Sequence, residues 1–148
     1  MTVVVRIGLV VLALLGGRGV ALADDGLAVT NAWVRPSIGQ TGNSALYFTL
    51  TNAGSSGDAL LAVDVADAAR AELHQTINDN GVVRMRAISE LPLPPGASLV
   101  FEPRGDHVML MGLKRPLQPG EHLSAILSFK SHPPMTIDAV ASMMPPVN

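Results

Sequence analysis

Short runs of apolar and β-branched residues alternate along the chain with clusters of Asn, Asp, Gly and Pro. Within many runs, apolar and polar positions alternate with a period of two, which is typical of strands with one buried face. Eight or nine strands separated by such turns predict an all-β protein, a single-domain antiparallel β-sandwich or barrel. The eight clearest runs are residues 27–34, 44–51, 59–65, 82–88, 98–101, 107–111, 123–129 and 136–140.

Residues 1–23 have the different pattern of a secretory signal peptide. A single positive charge at Arg6 precedes an apolar run over residues 7–15, and an A-x-A sequence ends at Ala23. The run is about half as long as the ~20 apolar residues that a membrane-spanning helix needs. We therefore expect cleavage near Ala23 and export of a mature domain, residues 24–148. An uncleaved N-terminal anchor is the alternative.

Composition narrows the chemistry of this mature domain. Its 125 residues include eight basic and twelve acidic ones, a net charge of −4, with one Trp and one Tyr. This composition does not indicate a nucleic-acid-binding surface. The chain has no cysteine. Disulfides, thiol nucleophiles and the His–His–Cys centre of blue copper proteins are therefore excluded.

Two histidines and two methionines are the most informative residues. His74, Met85, His107 and Met109 are separated by ten, twenty-one and one residue. Imidazole and thioether are neutral, comparatively soft donors, and such a set without thiolate or carboxylate suits Cu(I) better than other common biological metals. The set predicts a site for one copper ion per chain.

The predicted strands bring these four donors together. His107 and Met109 are two residues apart on one strand, so both side chains leave the same face while the residues next to them point to the core. The sequence Asn-Asp-Asn-Gly at 78–81 predicts a hairpin turn between His74 and Met85. The hairpin then supplies one His–Met pair and the later strand supplies the other.

Ordinary structural interpretations remain open for the candidate ligands. A methionine on an apolar strand is usually core filler, which leaves a non-metal β-sandwich that binds a protein or a glycan as an alternative. Met111 shares the strand parity of Met109, and we interpret it as a packing residue. His132 and Met135 could form a weak second soft site, although an ordinary loop is the favoured interpretation.

The spacing of the four donors resembles the signature of the PCu(A)C family of periplasmic copper chaperones, His-x10-Met-x21-His-x-Met. The resemblance implies a cupredoxin-like β-sandwich that binds Cu(I) at an exposed site near one end, with His74, Met85, His107 and Met109 as ligands. Further similar segments are residues 32–36, 45–47, 58–61, 72–74, 109–113, 116–117 and 127–129, with Asn52, Gly105 and Gly120.

The resemblance also implies a carrier rather than an enzyme, which hands Cu(I) by ligand exchange toward the CuA centre of cytochrome c oxidase subunit II, often beside a Sco-type thiol chaperone. We expect a periplasmic monomer. Copper storage or tolerance is the alternative within the copper class. No hydrolase motif is present, and Asp24 is not the N-terminal histidine that a copper monooxygenase needs.

One departure from the family pattern lies beside the second histidine. Where the family carries Gly and then an aromatic residue, this chain has Gly105 and Asp106. We therefore expect the hydrophobic cover over the copper to be missing or replaced by a charge.

Overall fold

Ten β-strands and no helix make up the part of the chain that the computed structural model describes, residues 26–37 and 42–147. Every predicted run overlaps a strand, and β4 carries His74 as the hairpin requires. The remaining strand, β6, is not predicted because a segment of three residues with a central proline is too short to show alternation. The strands are β1 (Leu27–Val34), β2 (Ser44–Asn52), β3 (Asp58–Asp64), β4 (Ala68–Asp79), β5 (Val82–Ile88), β6 (Leu91–Leu93), β7 (Ser98–Val100), β8 (His107–Leu113), β9 (His122–Phe129) and β10 (Met135–Ala141).

The strands form one sheet in the order β5-β4-β8-β2-β1-β10-β9-β3-β6, with β7 paired to β2. The described pairs are antiparallel as predicted, with one added parallel pair between β1 and β10. Leu60 of β3 and Leu93 of β6 share a buried cluster with Leu73 of β4 and Val108 of β8. The two halves of the sheet therefore pack face to face, and the predicted sandwich is confirmed.

The predicted hairpin joins β4 to β5. Asp79 pairs with Val82, and the two residues between them, Asn80 and Gly81, have φ angles of 51° and 87°. Two successive left-handed residues form the type I′ turn, whose twist matches that of the flanking strands. The Asn78 Oδ1 atom accepts a hydrogen bond of 3.0 Å from the Gly81 N–H, and the hairpin prediction is confirmed.

Strand β8 lies against the other edge of β4, with His107 directly opposite His74. Val108 and Leu110 have no exposed surface, which confirms that they face the core. Because side chains alternate along a strand, His107 and Met109 leave the opposite, outer face of the sheet. The register of three strands thus gathers the candidate ligands on one surface.

The predicted signal peptide, residues 1–23, lies outside the described residues. Among the described residues, no helix has the length and apolar character needed to cross a bilayer.

Candidate metal site

The four predicted donors occupy neighbouring positions on the outer face of β5, β4 and β8. The rings of His74 and His107 have centroids 5.4 Å apart. Met109 lies opposite Glu72, two residues along β8 from His107 and on the same face of the strand. Met85 lies opposite Thr76, which makes it a diagonal neighbour of His74 on the same face. The structure therefore brings the two predicted His–Met pairs together.

Exposure separates these residues from ordinary core positions. The Met85 side chain is 58% exposed on the edge strand β5, and Met109 is half-buried. Neither thioether belongs to the buried core cluster. His107, in contrast, is only 7% exposed. The interpretation of Met85 as core filler is wrong.

A backbone carbonyl selects the tautomer of the neutral His107 ring. Its Nδ1 atom lies 3.0 Å from the carbonyl oxygen of Gly105. A carbonyl can only accept a hydrogen bond, so Nδ1 carries the proton and the neutral ring keeps a free lone pair on Nε2. Metal-ligating histidines commonly donate their other ring N–H to a carbonyl or carboxylate in this way. His107 is thus prepared to ligate through Nε2.

Asp106 anchors the loop that carries this carbonyl. Its Oδ1 atom accepts a hydrogen bond of 3.1 Å from the Thr76 N–H, and the Thr76 hydroxyl donates to the Gly105 carbonyl at 2.7 Å. The pairing of β4 with β8 ends at His74 and His107, so the carboxylate gives Thr76 a hydrogen-bond partner where the strand pairing stops. The Asp106 carboxylate, at the position where the family pattern has an aromatic residue, thus anchors the loop.

His74 is held by Glu72, its neighbour on the same face of β4. The His74 Nε2 atom lies 3.0 Å from Glu72 Oε2, and Arg70 Nε lies 3.0 Å from the other carboxylate oxygen. The hydrogen bond from His74 lowers the pKa of Glu72 below its usual value; burial opposes this and the Arg70 charge assists it. Since the ionised carboxylate only accepts, Nε2 carries the proton and Nδ1 has the free lone pair.

An open cavity of about 730 Å³ adjoins His107. Two arginines, Arg35 and Arg104, line it, as does Tyr47, whose pKa is raised by burial against a smaller opposing effect of Arg35. No carboxylate is among its described lining residues, and His74 is not among them either. The imidazole and thioether side chains among its described lining residues are those of Met85, His107, Met109 and Met143.

Met143 is the residue that the sequence pattern does not assign to the site. Met143 and Met144 follow the last strand near the C-terminus, and no spacing rule connects them to the His–Met signature. The only available signal is the residue type, a soft donor outside any apolar run.

Within the described residues, no group of three or more His, Cys, Asp or Glu side chains is arranged to hold a metal.

Met111 lies apart from the cavity. It stands opposite Arg70 on β4, and its sulfur lies 3.6 Å from Arg70 Nη2. It is half-buried and is not among the described residues that line the cavity. These contacts agree with its interpretation as a packing residue.

His132 lies in the turn between β9 and β10, and Met135 is the first residue of β10. The Asp58 carboxylate accepts hydrogen bonds of 2.9 Å from the N–H groups of Ser131 and His132. Burial raises the pKa of Asp58, but hydrogen bonds from these N–H groups and that of Ala59 outweigh it, so the pKa is lower than usual. Met135 packs against the core. This arrangement supports the ordinary-loop interpretation.

The family described as "Putative lipoprotein LpqE-like" matches residues 27–141. A putative lipoprotein of Leifsonia xyli is 36% identical over 106 residues, which cover 71% of this chain and 63% of that protein. The chain thus spans less than two thirds of the length of this curated relative.

Solved PCuAC domains share the fold. The apo PCuAC domain of PmoF1 superposes with a TM-score of 0.67 at 26% identity, over 79% of this chain and 93% of that domain. The Cu(I)-bound solution structure of DR1885 from Deinococcus radiodurans superposes with a TM-score of 0.63 at 31% identity, over 75% of this chain and 74% of that one. The predicted cupredoxin-like sandwich and the resemblance to PCu(A)C domains are confirmed.

Proposed function

The chain belongs to the LpqE-like family, and from that premise we propose that it is an exported Cu(I) carrier that binds one copper ion through His74, Met85, His107 and Met109. One observation carries the proposal. Met85 on β5 and His107 and Met109 on β8 line one open cavity, and the His74 ring lies 5.4 Å from that of His107. The role is that of a carrier, not of an enzyme.

The chemistry of the donors favours copper in its reduced form. Thioether sulfur is a soft ligand that suits Cu(I), whereas Zn(II) takes thiolate, imidazole or carboxylate. The carbonyl of Gly105 leaves His107 Nε2 free to ligate, and Glu72 leaves His74 Nδ1 free. The carboxylates of Glu72 and Asp106 are engaged by His74 and by Thr76. The set available to the cargo is thus neutral.

The neutral charge of the ligands also allows Cu(I) to be released. Neutral imidazole and thioether ligands hold Cu(I) without a strong ionic bond, so a thiolate-rich acceptor can take the ion by exchanging one ligand at a time. The Met85 side chain is the most exposed of the four donors and lies on an edge strand. It is the ligand that an approaching acceptor would replace first.

The proposed setting is the periplasm. Residues 1–23 would direct export and be removed near Ala23, leaving residues 24–148 as the copper-binding domain. The lipoprotein description of the family is in keeping with export. An oxidising compartment also suits thioether ligands because they cannot form disulfides, although they can be converted to sulfoxides.

Titration of the purified protein with Cu(I) against a competing chelator is expected to show one tightly bound ion per chain and weak Zn(II) binding. Met109→Leu should lower the Cu(I) affinity at least about tenfold, or about 1.4 kcal/mol. Leucine nearly matches methionine in volume, so the fold should be kept. Met111→Leu, two residues along the same strand, is the matched control and should change the affinity less than about twofold.

Three results would contradict this proposal. Tight Zn(II) with weak Cu(I) would reverse the choice of metal. Unchanged Cu(I) affinity in a folded Met109→Leu protein would remove Met109 from the site and return it to a packing role. Absence of any copper stoichiometry would favour the alternative of a non-metal binding sandwich.

The proposed acceptor is the CuA centre of cytochrome c oxidase subunit II, with a Sco-type thiol chaperone as a further partner. When the Cu(I)-loaded protein is mixed with the copper-free soluble domain of that subunit and the two are separated, we expect most of the copper in the thiolate-bearing acceptor. Retention of copper by the loaded protein would instead favour storage or tolerance. An acceptor lacking its cysteines is the control and should take up none.

A further inference from the structure

A third methionine borders the cavity, from the segment that follows β10. Met143 lines the cavity together with Met85, His107 and Met109. Its side chain is 55% exposed, so it is not a core residue. The adjacent Met144 is 72% exposed and is not among the described residues that line the cavity.

The sheet holds Met143 in this position. Strand β10 runs parallel to β1, with Ala141 opposite Val34. The next residue, Ser142, donates its N–H to the Val34 carbonyl at 2.9 Å. Strand β1 continues into Arg35, which itself lines the cavity. The residues that directly follow this contact on the two chain segments, Arg35 and Met143, both line the cavity.

The Ser142 hydroxyl closes a tight turn around Met143. It donates to the Met144 carbonyl at 2.6 Å and lies 3.3 Å from the Met144 N–H, which donates to it. The two hydrogen bonds fix the Met144 backbone to Ser142. Met143 adjoins the cavity, and Met144 remains in solvent.

We propose that Met143 is a third thioether donor to Cu(I) in this cavity, in addition to Met85 and Met109; the proposal rests on the proposed copper-carrier function. Cu(I) accepts several neutral soft ligands, and thioether sulfur is one of the ligands that select it. With His107, the three thioethers supply four neutral donors around one cavity. Met143 is thus a further neutral donor beside the His74 Nδ1 lone pair that Glu72 leaves free.

The test uses purified protein in which every methionine methyl group carries ¹³C, with Cu(I) added to one equivalent. The methyl signals of Met85, Met109 and Met143 are expected to shift, and those of Met111, Met135 and Met144 to stay. Met143→Leu should lower the Cu(I) affinity about fivefold, and the matched control Met144→Leu should change it less than about twofold, because leucine keeps the volume and removes only the sulfur. The same two variants assign the two C-terminal methyl signals.

The outcomes separate this proposal from the copper-carrier function. If one Cu(I) binds and the Met143 methyl signal does not move, Met143 is not a ligand and the carrier function stands. If no Cu(I) binds, both proposals fail. Equal losses in the Met143→Leu and Met144→Leu proteins would assign the effect to the C-terminal segment as a whole and overturn the specific role of Met143.

Discussion

His107→Ala is expected to lower the Cu(I) affinity at least about a hundredfold, or about 2.8 kcal/mol. His107 is the one predicted ligand that is both buried, at 7% exposure, and fixed in its tautomer by a backbone carbonyl. A preorganised donor contributes more than a mobile one because little ordering remains to be done on binding. Competition titration with a Cu(I) chelator measures the loss.

Two further variants make this result specific. His107→Asn keeps a polar side chain near the Gly105 carbonyl but lacks the imidazole Nε2, so it should lose a similar share of the affinity. His132→Ala removes a histidine from the β9–β10 turn, where its ring contacts Phe129, and should leave the affinity within about twofold, since a surface substitution away from a site has little effect. Comparable losses in the His107 and His132 variants would point to copper bound elsewhere on the surface.

Phe48→Ala is expected to lower the free energy of unfolding by about 3–5 kcal/mol. Phe48 is 1% exposed, and its ring stacks on Phe101 with centroids 4.4 Å apart. The Phe101 N–H also donates to the Phe48 carbonyl at 2.9 Å. Since domains of this size are stable by only about 5–15 kcal/mol, urea unfolding should show a clearly lower midpoint.

The stacked pair supports the site indirectly because Phe101 directly precedes the loop that carries the Gly105 carbonyl. Val100→Ala, at a neighbouring position that is 51% exposed, is the matched control and should cost less than about 1 kcal/mol. A Phe48→Ala protein with the stability of the control would mean that the core repacks around the missing ring. Copper affinity of the folded Phe48→Ala protein should fall much less than that of His107→Ala.

Local sequence signals predict most of the strands. They also predict the turn between β4 and β5 and the shared face of His107 and Met109. Asn80 and Gly81 favour a two-residue turn through their own backbone preferences, and the structure has that turn. The interval between His107 and Met109 determines that their side chains share a face, since side chains alternate in every strand. Neither prediction depends on knowing which strands are neighbours.

Pairings between distant strands could not be predicted in this way. Nothing local to β1 or β10 indicates that they run parallel, because that choice depends on the path of the whole sheet. The strand β6 depends on β3 for its pairing. The role of Asp106 likewise requires knowing that Thr76, thirty residues earlier, lies where the pairing of β4 with β8 ends.

The sequence by itself determined that this protein is an all-β domain without cysteine, with two His–Met pairs suited to Cu(I). Residue type and spacing suffice for those conclusions because they concern donor chemistry and strand parity. Only the tertiary structure decided that His74 lies opposite His107 and that Met143 reaches the cavity of Met85 and Met109. Those positions arise from hydrogen bonds between strands far apart in the chain, which no local pattern encodes.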